Sequence, residues 1–145
     1  MNARARSAAR LAAVQALYQQ AMEPRPLAAL LDEFHRHRLG ATIDGVEFAA
    51  AESDFFDAIV TGALARAEEI DGLLAARLSE GWRLERLDRT MLQILRAGAW
   101  ELIARPDIGI ATVIDEYVDV AHAFFDPREA KFANGVLDAV ARAVR

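Results

Sequence analysis

Lys131 and Phe132 open the stretch KFANGVLDAV, residues 131 to 140, and put a cation beside an aromatic ring at the start of a helical pattern. Just ahead, Asp126, Pro127 and Glu129 read as a helix start: an N-cap acceptor, a proline at the first helical position and an acid at the third. The first N–H groups of a helix have no internal partner and, with the positive end of the helix dipole, favour anions. A cation, an aromatic face and a helix N-terminus together make a seat for a phosphate with a stacked base. The plainer reading of the same pair is a core Phe132 and a solvated Lys131. Asn134-Gly135 usually marks a tight turn, yet here it falls inside the helix. Ala133, Val136, Leu137, Val140 and Val144 form one apolar stripe, and Lys131, Asn134, Asp138, Arg142 and Arg145 fall on the other side. Gly135 lies between the faces, where a missing side chain lets another backbone or a ligand approach closely.

A second group of cations stands at the other end of the sequence. Residues 1 to 22 contain Arg4, Arg6 and Arg10 and no acid, a charge of +3 that leaves −8 for the rest of a chain whose total is −5. Such segregation marks either a basic arm that meets a polyanion or an ordinary helix start that lacks acids.

Other chemistries are poorly served. Asp32-x-x-His35 and Asp119-x-x-His122 each put a carboxylate and an imidazole on one helix face, as in di-iron bundles, but those sites draw longer Glu side chains from four helices. His35 lies in FHRHR, which also reads as a solvated basic helix end. There is no G-x-S-x-G elbow, no phosphate-binding glycine loop and no zinc-spaced His pair. Absence of cysteine removes disulfides, thiolate metal sites and a Cys nucleophile, and fits a reducing cytoplasm. No apolar run approaches the length of a membrane span, and the first residues lack a signal-peptide stretch.

The elements that must position these residues are helical. The 145 residues are 54% hydrophobic, rich in Ala and Leu, with few Gly or Pro, and suit one domain with a substantial core. The first helix spans Ala3 to Met22, with Leu11, Val14, Tyr18 and Met22 on one stripe; Pro24 and Pro26 stop it, and Pro26 opens a second over Leu27, Leu30, Leu31 and Phe34. A loop is expected over 39–48. One long helix follows from Ser53 to Ser79, with Gly62 and Gly72 as close-approach points or bends, and Gly81 ends that half. Further helices cover 84–105, broken near Asp88, then 110–125 after an RPDIG turn, and the last one from Asp126. No segment alternates with a two-residue period. The expectation is an all-α fold of two packed helical sub-bundles, residues 1 to about 80 and about 81 to 145.

Three blocks make the chain resemble the NusB family of transcription antitermination factors: ARSAARLAAVQALYQ at 5–19, LDRTMLQILRAGAWEL at 87–102, and VIDEYVDVAHAFFDPREAKFANGVLDAVAR at 113–142. The resemblance implies a non-catalytic, cofactor-free helical protein that binds boxA RNA of ribosomal RNA operons together with NusE, a small-subunit ribosomal protein, in an antitermination complex with RNA polymerase. It also implies that Arg4, Arg6 and Arg10 match the basic arm, that Tyr18 matches a tyrosine on the first helix, and that Lys131 and Phe132 match a Lys-Phe pair, all at the RNA edge. The reading requires the cationic beginning and the start of the last helix to share an open surface. Arg96, Trp100 and Glu101 are expected near the NusE contact, although Trp100 and Glu101 equally fit a core aromatic and a surface acid. Ser7 and Ala8 dilute the arm, PREA stands where many members carry an acid before Lys-Phe, and Glu69 stands where some carry an aromatic, so the expected RNA affinity without NusE is low. A homodimer formed through an exposed apolar face is the alternative use of the Phe132 surface.

Overall fold

The computed structural model describes residues 3–39 and 50–145, with the side chains of Arg38, Ala50, Ala51 and Glu52 outside that description. The loop expected over 39–48 therefore lies outside the described residues except for Leu39. The described elements are all helical, and the chain divides into two units, Met1–Thr61 and Gly62–Arg145.

The first unit contains α1 (Ala3–Met22), α2 (Leu27–Phe34), a π-helical turn (His35–Leu39) and most of α3 (Ala50–Ala65). Helix α1 buries Ala5, Ala9, Ala12, Ala13, Val14, Ala16 and Leu17, while Tyr18 is 37% and Met22 45% exposed. Of the expected Leu11–Val14–Tyr18–Met22 stripe only Val14 is buried, so the stripe as a whole is not the buried face. Alanine surrounds this helix, so apolar periodicity carries little information, and five alanines face the interior together with Val14 and Leu17. Gln20 fastens the Pro24–Pro26 turn: its Nε2 donates to the Arg25 carbonyl at 2.7 Å and its Oε1 accepts from the Arg25 N–H at 3.2 Å. Phe34 stacks on Phe56 with ring centroids 5.3 Å apart, joining α2 to α3.

In the second unit the expected single helix from Ser53 to Ser79 is two, α3 and α4 (Ala67–Arg77), divided at Arg66, whose backbone (φ −110°, ψ 24°) leaves the helical region. Hydrogen bonds run across the break, Arg66 N–H to Gly62 O and Ile70 N–H to Arg66 O, so it bends the chain without a loop. Gly62 is a close-approach point, because a Cβ there would lie 2.0 Å from Trp100 Nε1. Gly72 is not one: nothing lies within 4 Å of the equivalent position. Gly81, at φ +89°, occupies the left-handed region that a glycine enters without strain.

A 3₁₀ turn (Leu84–Arg86) leads to Asp88, whose side chain accepts from the Thr90 and Met91 N–H groups and starts α5 (Arg89–Ala104). Helices α6 (Ile110–Phe124) and α7 (Pro127–Val144) complete the unit; α5, α6 and α7 pack mutually, and α4 packs on α5 and α7. That packing is why α4 belongs with the C-terminal helices and why the division falls at Thr61/Gly62 instead of near residue 80. Gly98 of α5 lets Leu137 of α7 approach to within 2.9 Å of the missing Cβ position. Arg145 closes the C-terminal end of α5, donating to the carbonyls of Leu102, Arg105 and Ile108 at 2.9, 2.7 and 2.6 Å.

Candidate nucleic-acid interface

Helix α7 begins as its sequence requires. Asp126 Oδ1 accepts from the N–H groups of Arg128 (2.9 Å) and Glu129 (3.3 Å), with Pro127 at the first helical position. The box closes differently from expectation. The Glu129 carboxyl turns to the Asp126 carboxyl, and the hydrogen bond between them, reinforced by the N–H donors, holds Asp126 below the ordinary carboxylate range and pushes Glu129 above it.

Lys131 is exposed and, among the described residues, has no ion-pair partner. Phe132 is half-buried, neither sealed in the core nor free, with its ring centroid 5.8 Å from that of Trp82 and the planes inclined by 31°. The apolar stripe on α7 buries Ala130, Ala133, Val136, Leu137, Val140 and Ala141, with Val144 at its edge. Gly135 is exposed with nothing within 4 Å of a Cβ position, so no neighbour within the chain uses the space it leaves. Beside Phe132 lies a groove of about 370 Å³ floored by Leu87, Met91 and Phe125 and rimmed by Trp82, Arg86 and Arg128. Sequence reasoning missed Trp82 and this groove, because Trp82 lies in a short connector with no periodicity to assign it a face.

In the first unit, Arg4 is exposed. The Arg6 and Arg10 guanidinium groups lie 5.4 and 5.1 Å from the Phe55 ring centroid, within cation–π range. Arg10 is only 1% exposed, so its charge serves the interior of α1 and is not presented as a surface phosphate contact. Tyr18 presents part of its ring to solvent.

The residues expected near a protein partner are placed mostly inside. Trp100 is 6% exposed against Gly62, and Glu101 is fully enclosed, accepting from Tyr117 Oη at 2.8 Å. Trp100 is thus a core aromatic, while Glu101 is a buried acid with a phenol donor instead of a surface acid. Arg96 is half-buried and holds Asp71 in a two-pronged pair, both bonds 2.8 Å. The Asp32-x-x-His35 pair is otherwise engaged: His35 Nε2 lies 2.6 Å from Asp57 Oδ1, and Asp32 is bound by Arg36. Among the described residues no cluster of three or more His, Cys, Asp or Glu side chains could hold a metal ion.

The described elements are all helical, and the last of them opens with an outward lysine beside a half-open phenylalanine, the features of a helical protein with a surface suited to an anionic partner. Comparison with known proteins makes this specific. The NusB family model matches residues 7–142, and the chain belongs to the NusB family. It is 68% identical over 145 residues to the transcription antitermination protein NusB of Novosphingobium aromaticivorans, covering 100% of this chain and 98% of that one. Against the protein of the same name from Sphingopyxis alaskensis it is 63% identical, covering 100% and 99%. Among solved structures it is similar to the antitermination factors NusB and NusE in complex with double-stranded RNA, at TM-score 0.77 and 27% identity over 98% of this chain and 99% of that one.

Proposed function

We propose that this chain is a cytoplasmic antitermination factor that binds boxA RNA of ribosomal RNA operons together with NusE, within an antitermination complex on RNA polymerase. The observation that carries the reading is the start of α7, where Lys131, without an ion-pair partner among the described residues, adjoins the half-open ring of Phe132. Similarity to a NusB–NusE–RNA complex supports both partners. No helix among the described residues is long and apolar enough to cross a membrane, which agrees with a cytoplasmic role.

In this reading Lys131, Arg4 and Arg6 meet phosphates, Phe132 and Tyr18 stack bases, and Arg10 supports the arm from within by its contact with Phe55. NusE meets the second unit in the neighbourhood of Arg96; Trp100 and Glu101 shape that face from behind. A homodimer formed through the Phe132 surface would compete with RNA, and light scattering with and without RNA reads that competition.

Few phosphate contacts make intrinsic affinity low, so binding comes from the heterodimer. A boxA RNA titration with and without NusE tests this: the reading expects clearly tighter binding with NusE, and equal affinity in both would overturn it.

A further inference from the structure

Trp82 is 57% exposed, more than any other large apolar side chain among the described residues, yet it is packed on one side against Phe132. The groove below it, at about 370 Å³, falls in the range of sites for small organic groups, ~300–1,000 Å³. Charge around the groove is unequal. Asp88 and Asp126 are occupied as helix caps, and Glu129 is engaged with Asp126. Arg86 and Arg128, both exposed, have no ion-pair partner among the described residues, nor does Lys131 on the same helix turn. The two aspartates are satisfied locally while the cations face outward, a complement to a polyanion and not to an apolar peptide. One further group is unmatched: Glu129 Oε2, which lines the groove, is buried without a hydrogen-bond partner. Such an orphan acceptor is unfavourable unless a ligand supplies a donor.

We propose that this groove is a nucleobase slot, in which one splayed-out base of the bound RNA stacks on Trp82, its exocyclic amino group donates to Glu129 Oε2, and the adjoining phosphates meet Arg86 and Arg128. The inference rests on the RNA-binding reading above and extends it to a residue and a base class, adenine, cytosine or guanine, the bases that carry an exocyclic amino donor. The rings of Trp82 and Phe132 are already in contact at 5.8 Å, so the base stacks on the open indole surface and does not slide between them.

The test titrates the full chain, with NusE, against boxA RNA and against the same RNA carrying an abasic site at each position in turn. Trp82→Ala should weaken binding about 5- to 150-fold, as the loss of one stacked base implies, and Trp82→Phe should retain most of it. In the parent, abasic substitution at one amino-bearing base should be costly, and Trp82→Ala should remove that sensitivity. Arg86→Ala and Arg128→Ala, surface changes that leave the fold intact, should each weaken binding in a salt-dependent way. If Trp82→Ala binds RNA like the parent while Phe132→Ala does not, the slot is overturned and the RNA reading stands. If Trp82→Ala lowers affinity for NusE alone, the groove is a protein contact and the slot is overturned. If the parent binds no RNA even with NusE, both fall.

Discussion

Tyr117 on α6 donates its phenolic hydrogen to Glu101 on α5 at 2.8 Å, and both side chains are fully enclosed. A buried carboxylate needs donors, and this one joins two of the three helices that pack mutually in the second unit. Tyr117→Phe keeps the ring and removes the donor. The expected loss is about 1–3 kcal/mol in urea unfolding, with RNA affinity of the folded protein unchanged.

Two glycines on successive helices, α3 and α4, are predicted to behave oppositely. A Cβ at Gly62 would collide with the Trp100 indole, so Gly62→Ala should destabilise by about 1–3 kcal/mol. Gly72 has open space, and Gly72→Ala should stabilise by up to about 1 kcal/mol through helix propensity. Thermal unfolding of the two variants side by side reads the difference, and equal shifts would contradict the packing described.

Salt dependence counts phosphate contacts. Three cations, Arg4, Arg6 and Lys131, correspond to a log–log slope of about −2.1 for single-stranded RNA, and adding Arg86 and Arg128 brings it to about −3.5. The steeper value is expected. Arg128→Ala should flatten it by about 0.7, whereas Arg10→Ala should act on stability instead of slope, because that side chain is enclosed.

Much of this was legible in the sequence where a local rule fixes the outcome. The ends of α1, the Asp88 and Asp126 caps and the apolar stripe of α7 follow from capping chemistry and helical periodicity. What the residues alone could not reveal depends on partners distant along the chain. Gly62 and Gly72 look alike until Trp100 is placed over one of them. Arg10 reads as a member of a basic arm, and only Phe55 takes it inside. Arg145 was assigned to the polar side of its helix, yet its guanidinium satisfies carbonyls some forty residues away at the end of α5. Lys131 and Phe132 stand out as a candidate site by residue type, but the ring's position between core and solvent depends on Trp82.

The central claim is that the start of α7 grips RNA. The most direct measurement is a gel shift with boxA RNA and NusE comparing the parent with Lys131→Ala and Phe132→Ala, with circular dichroism on the same samples. The account predicts that both substitutions abolish or strongly weaken the shift while the helical signal is retained. Undiminished RNA binding by both variants, or unfolding of Phe132→Ala, would contradict it.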